Sequence, residues 1–215
     1  EFLEGCTISV TGYLKPNKLF SGTKFAQPYL NYALVNFIAL LGSRIKPDLN
    51  IQIESISGLN YSSGLFASDF PEYHKFPIGL TEFKNLKTLN IRSLRLKSIP
   101  DEISKLSKLQ VLECEDNELK LLPEGLFQLS NLEELNMNYC SGSEGLVKEI
   151  PKSIVKLKKL KKLNIGSMKG LSITETIETL SGLISLSELD MSYNSISKIP
   201  DNIDKLQSVE YLNIS

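Results

Sequence analysis

Residues 109–131 read LQVLECEDNELKLLPEGLFQLSN, and the spacing of their apolar positions decides the fold. The first half carries apolar residues at Leu109, Leu112 and Cys114. The last two are two apart, the period of a strand with one buried face. The second half carries Leu122, Leu126 and Leu129, spaced three to four apart, the period of one or two turns of helix or 3₁₀ helix. One such unit is a strand followed by a short helical return. Leu109, Leu112, Leu119, Leu122, Leu126 and Leu129 are its expected inward residues, each worth about 1.5–3 kcal/mol on full burial. The unit is too small to cover its own apolar side, so it needs copies to stack upon.

The copies are present. LKTLNIRSLRLKSIPDEISKLSK begins at Leu86, LEELNMNYCSGSEGLVKEIPKSIVKLKK at Leu132 and LKKLNIGSMKGLSITETIETLSGLIS at Leu160. LSELDMSYNSISKIPDNIDKLQS begins at Leu186, and a clipped VEYLNIS at Val209. From Leu86 through Leu109, Leu132, Leu160 and Leu186 to Val209 the spacings are 23, 23, 28, 26 and 23 residues. FPIGLTEFKN at 76–85 matches the second half of a unit, so the array begins at or before residue 76. A fixed period of this size means a solenoid with a parallel sheet on its concave side.

Residues 76–215 resemble the leucine-rich repeat family, whose pattern is LxxLxLxxNxL followed by a looser IPxxIxxL half. The second halves, as in Ile199-Pro200…Ile203…Leu206, are similar to the intracellular and bacterial types. The resemblance implies an α/β solenoid with a parallel concave sheet, a short helical or 3₁₀ convex side and a protein-binding role. The family's asparagine column falls on Leu94, Asn117, Cys140, Met168 and Asn194. Only two units keep the asparagine, so its backbone bonds must be met otherwise elsewhere. The longer units carry the insertions SGSEGLVK and MKGLSITE.

Parity assigns the outward residues. On successive rungs these are Thr88, Asn90 and Arg92; Val111, Glu113 and Glu115; Glu134, Asn136 and Asn138. Then follow Lys162, Asn164 and Gly166, and Glu188, Asp190 and Ser192. Five carboxylates face two cations, a surface suited to a protein partner with a basic patch. The expected contacts are Arg92, Glu113, Glu115, Glu134, Asn136, Asn138, Lys162, Glu188 and Asp190. The same parity disarms the sequence LECEDN at 112–117, which invites a metal or reactive-thiol reading: Cys114 faces the core while Glu113 and Glu115 face the groove.

Other chemistry is not indicated. The 215 residues carry a net charge of −1, giving no global attraction to nucleic acid or membrane. The longest apolar run, YALVNFIALLG at 32–42, is too short to span a bilayer. Cys6, Cys114 and Cys140 form no CxxC pair, which favours a reducing compartment and buried free thiols. The offset between the Cys114 and Cys140 slots argues against a bridge. His74, the single histidine, sits in a loop-like FPEYHKFP without a nucleophile motif. No phosphate loop or HExxH motif occurs, so no enzyme, cofactor, metal or small-molecule substrate is expected. The run KEIPKSIVKLKKLKKL at 148–163 is dense in lysine, but Ile154, Leu157 and Leu160 interleave at core spacing and no aromatics interleave to stack bases. A solvated convex segment is the expectation, and nucleic acid is disfavoured.

Residues 1–62 do not repeat. A strand at Thr7–Val10, a helix within 28–45 and a second strand in LNIQIES at 49–55 give a β-α-β order. The strand, Thr-Gly turn, helix and LGSRI resemble the start of a BRCT domain, a module of DNA-repair and checkpoint proteins. That resemblance implies a phosphate contact at Thr11 and Gly12. The competing reading is a cap over the first repeat. Two domains are therefore expected: residues 1–62, a cap or BRCT-like segment, and residues 63–215, repeats that stop inside a sixth unit. The expected function is an intracellular protein–protein interaction module. Alternatives are nuclear recognition of a phosphopeptide or of damaged DNA through residues 1–62, and the substrate-recognition region of a larger signalling enzyme.

Overall fold

The computed structural model describes residues 7–9, 55–57, 75–141 and 147–215. Among them, eight strands form one parallel sheet in chain order. They are β1 (Thr7–Ser9), β2 (Ser55–Ser57), β3 (Thr88–Asn90) and β4 (Val111–Glu113). β5 (Glu134–Asn136), β6 (Lys162–Asn164), β7 (Glu188–Asp190) and β8 (Tyr211–Asn213) complete it. Each repeat strand is three residues long, and its middle residue points inward. Leu89, Leu112, Leu135, Leu163 and Leu189 stand in register across the sheet. All five are buried, as are Ile91, Cys114, Met137, Ile165 and Met191 two positions on.

The returns are short 3₁₀ turns at Ile78–Glu82, Asp101–Lys105, Glu124–Gln128, Lys152–Lys156 and Ile203–Lys205. The IP dipeptide explains most of them. Proline fixes φ ahead of the turn, and its carbonyl accepts the first three-residue bond, as from Ile103 N to Pro100 O at 3.1 Å and Ile154 N to Pro151 O at 3.0 Å. The unit from Leu160 has no proline there. In its place Ser172 O accepts from Thr176 N at 2.9 Å, a four-residue step, and α1 (Ile173–Leu180) forms. Its inward stripe is Thr176, Ile177 and Leu180.

Two positions show why the stack is tight. Gly125 N donates to Asp101 Oδ1 at 2.7 Å across adjacent returns. A Cβ at Gly125 would lie 2.1 Å from the Asp101 carbonyl oxygen, so no larger residue fits. Between strand and return, Ser93, Asp116, Tyr139, Ser167 and Tyr193 recur at positive φ at the same place in each unit, with Arg95 and Ser195 adding a second in the units from Leu86 and Leu186. The recurring left-handed residue reverses the chain just before the asparagine column, at a cost of about 1–2 kcal/mol each.

The asparagine column itself is buried throughout. Asn117 Nδ2 donates to Ile91 O, Cys114 O and Glu115 O, and its Oδ1 accepts from Leu96 N at 2.9 Å. Asn194 makes only the donor bonds, to Ile165 O and Met191 O. Leu94, Cys140 and Met168 fill the slot by packing, and the Cys140 backbone accepts from Leu119 N and donates to Met137 O. Cys114 and Cys140 are free buried thiols. Burial pushes Cys140 up to about 12, so neither is a ready nucleophile.

At the N-terminal end, β1 matches the expected first strand. β2 lies at Ser55–Ser57; of the strand expected in LNIQIES only Ser55 is among the described residues. The helix expected within 28–45, the Thr-Gly turn, Cys6 and His74 lie outside the described residues. β2 pairs in parallel with both β1 and β3, so the same sheet continues into the repeats. Among the described residues no helix is long and apolar enough to cross a membrane.

Candidate functional site

The concave face is three rows deep, and strand register sets each row. The first runs Thr88, Val111, Glu134, Lys162, Glu188, Tyr211, and the second Asn90, Glu113, Asn136, Asn164, Asp190, Asn213. Arg92, Glu115, Asn138, Gly166 and Ser192 follow two residues beyond. Neighbours along a row stand about 4.8 Å apart, close enough for direct side-chain contact. Arg92, Lys162 and Glu188 are exposed, while Glu113, Glu115, Glu134, Asn136, Asn138 and Asp190 are half-buried. Gly166 and Ser192 are buried, yet both lie on this side of the strand: a Cβ at Gly166 would meet Asn138 Oδ1 and Asn164 Oδ1, and Ser192 Oγ donates to Asp190 Oδ1 at 2.6 Å.

Both cations already have partners. Arg92 pairs with Glu115, and Lys162 Nζ lies 3.1 Å from Glu188 Oε1. Glu113, Glu134 and Asp190 therefore carry the face's uncompensated negative charge. Asn136 Nδ2 donates to Glu113 Oε2 and Glu115 Oε2, both at 2.8 Å. Asn213 Nδ2 donates to Asp190 Oδ2 at 3.0 Å. Burial pushes the Glu113 carboxyl above the usual glutamate range; Asn136 pulls it down, Glu115 pushes it up, Arg92 pulls it down and Glu134 pushes it up.

The second row does structural work that parity alone does not reveal. In each Asx residue the side-chain oxygen accepts the backbone N–H two residues on. Asn90 serves Arg92, Asn136 serves Asn138, Asn164 serves Gly166, Asp190 serves Ser192 and Asn213 serves Ser215, at 2.9–3.2 Å. These are Asx turns that lead each strand into its reversal. The recurring N or D at the middle position of the LxL triplet, as in Leu89-Asn90-Ile91 and Leu189-Asp190-Met191, was the available signal.

The C-terminal half of the face opens into a shallow recess of about 250 Å³ between Glu113, Glu134, Asn136, Lys162, Asn164, Glu188, Asp190 and Tyr211. Tyr211 is exposed there and extends the first row. The clipped last unit hides it, although its parity matches that of Glu188. The lysine run sits where periodicity places it: Lys148, Lys152, Lys156, Lys158, Lys159, Lys161 and Lys162 are all exposed. Lys156 pairs with Glu124 and Lys161 with Glu133, and Lys159 donates to Asn131 Oδ1. Each is an axial contact to the preceding unit. Thr11 and Gly12 lie outside the described residues.

A family model described as a leucine-rich repeat region matches residues 78–215. Among solved structures the chain is similar to internalin C2 from Listeria monocytogenes, at 20% identity and a TM-score of 0.54. That match covers 80% of this chain and 66% of the internalin chain, just under two thirds of its length. No curated protein sequence matches the chain significantly.

Proposed function

Because the chain belongs to the leucine-rich repeat family, whose arrays act as protein-interaction modules, we propose that its concave face binds another protein carrying basic groups. One observation supports this most. The face's only two cations among the described residues, Arg92 and Lys162, are each paired with a carboxylate of the same face. What is left to offer a partner is the charge of Glu113, Glu134 and Asp190, with amide and tyrosine groups between them. Stacked strands hold these groups at fixed spacing, so little side-chain order is lost on binding. Arg92, Glu115, Asn138 and Glu188 frame the contact, while Asn136 and Asp190 also serve the backbone.

Residues 1–62 act in this reading as the N-terminal cap. The pairing of β2 with β3 supports it, since a strand in that place covers the first rung's edge. Charge reversal at Glu134, as Glu134→Lys, tests the binding face. It is expected to slow association and weaken partner capture while thermal unfolding stays within about 2 °C, the shift of roughly 0.5–1 kcal/mol. Undiminished capture of a basic partner from cell extract by the variant would remove the concave face as the site.

A further inference from the structure

Glu113 is the one member of the second row that is neither Asn nor Asp. Its neighbours on both sides, Asn90 and Asn136, make the Asx bond to the backbone two residues on. A glutamate is one methylene too long for that turn. Its carboxylate crosses to the next rung, where Asn136 Nδ2 divides its two hydrogens between Glu113 and Glu115. The result is an unusual place for a charge. Glu113 is half-buried, and its own strand sets Glu115 on the same amide. β3 contributes Arg92, which is already paired with Glu115, and β5 adds the like charge of Glu134. Glu113 also lies at the lip of the recess, which Glu134, Glu188, Asp190 and Lys162 share.

An Asn at this position would complete the row of turns and remove a carboxylate that burial and two like charges disfavour. Burial and those like charges weigh against the ionised Glu113, while the Asn136 bond and Arg92 favour it. Such a departure from a structural pattern is the mark of a residue kept for contact with something else. Resting on the concave-face reading above, we propose that Glu113 is the specificity-determining residue of that face. Asn136 positions its carboxylate at the recess to accept one cationic side chain of the partner, and protonation of Glu113 switches the contact off.

Burial pushes the Glu113 carboxyl above the ordinary glutamate range. A carboxyl that takes up its proton above the ordinary glutamate range stabilises the fold when protonated and weakens it when ionised. Glu113→Asn should therefore raise the melting temperature at neutral pH by about 2 °C or more. The gain should shrink below the ordinary glutamate value. A lower melting temperature for Glu113→Asn at neutral pH would make Glu113 a structural residue and overturn the proposal.

The binding arm uses a dye-labelled hexa-arginine peptide and fluorescence anisotropy at physiological ionic strength. Wild type should bind it more weakly in mild acid. Glu113→Asn should weaken neutral-pH binding about tenfold and abolish that acid-dependent step. Asn136→Asp keeps the backbone bond, as Asp190 shows, but replaces the shared donor by a charge. It should move the acid step to higher pH, a change that a purely structural role for Asn136 would not produce. If Glu134→Lys weakens the peptide while Glu113→Asn matches wild type at every pH, the proposal falls and the concave face stands. If no concave substitution matters, both fall together.

Discussion

The unit from Leu109 and the unit from Leu160 share a strand and a core, yet they are held by different means. In the first, a proline starts a 3₁₀ turn, Gly125 lets two returns touch, and Asn117 bonds on all sides. In the second, no proline stands before the return, an α-helix takes its place and Met168 fills the asparagine slot. The consequences spread to the neighbour. Asn194, which reaches back to Ile165 O, has no partner for its Oδ1, and Thr176 Oγ1 is buried without a hydrogen bond. Where the unit from Leu86 supplies Leu96 N to Asn117 of the next, the longer unit has spent Leu171 N on Met168 O at 3.2 Å. An insertion on the convex side is thus tolerated by giving up polar satisfaction while leaving the strands in register.

The largest expected effect comes from the close approach that only the regular unit has. Gly125→Ala should cost about 3 kcal/mol, because the obstacle is backbone that cannot move without breaking the stack. Gly182→Ala, at the end of the longer unit, meets a side chain rather than backbone at its nearest point, the Val155 Cγ1 methyl at 2.8 Å. It should cost about 0.5 kcal/mol, within the range of surface changes. Urea unfolding of both variants measures the difference, and equal costs would erase the distinction between the two returns.

Next in size is the asparagine column. Asn117→Ala leaves Ile91 O, Cys114 O and Leu96 N to find other partners, while Glu115 O keeps Ser93 N, and should cost about 2–3 kcal/mol. Asn194→Ala loses two bonds but also removes an oxygen that has none, so about 1 kcal/mol is expected. A reversed order of denaturation midpoints would show that the Asn194 bonds matter more than their number suggests.

Thr176→Val is expected to leave stability unchanged or raise it by up to about 1 kcal/mol, since the shape is kept and a buried hydroxyl without a partner is removed. A loss above that size in thermal unfolding would reveal a partner for the hydroxyl. The smallest change is Ser167→Gly. It relieves a φ of 55°, but the gain is offset by the freedom glycine adds to the unfolded chain, leaving about 0.5 kcal/mol or less.

Much of the fold was legible because two periods coexist in one unit. Leu112 and Cys114 alternate as a strand does, and Leu122, Leu126 and Leu129 follow as a helical turn does. Burial places all five inside. The outward set was legible by parity for Glu113, Glu115, Glu134, Lys162 and Glu188. Parity does not reveal that Gly166 and Ser192 are buried, because packing against Asn138, Asn164 and Asp190 decides that. The Asx row was visible only as a recurring letter, since a side chain that caps its own backbone and one that faces a partner share the same parity. Tyr211 was overlooked for want of a complete unit to align it with.

The sequence by itself determined the repeat, the parallel sheet and the side of each rung on which charge would lie, because these follow from apolar spacing and alternation alone. The tertiary structure decided which of those charges are available. Pairing of Arg92 with Glu115 and Lys162 with Glu188, and the division of one Asn136 amide between two carboxylates, joins residues on different rungs. Such contacts depend on strand register and on side-chain reach across about 4.8 Å, distances that no single repeat contains.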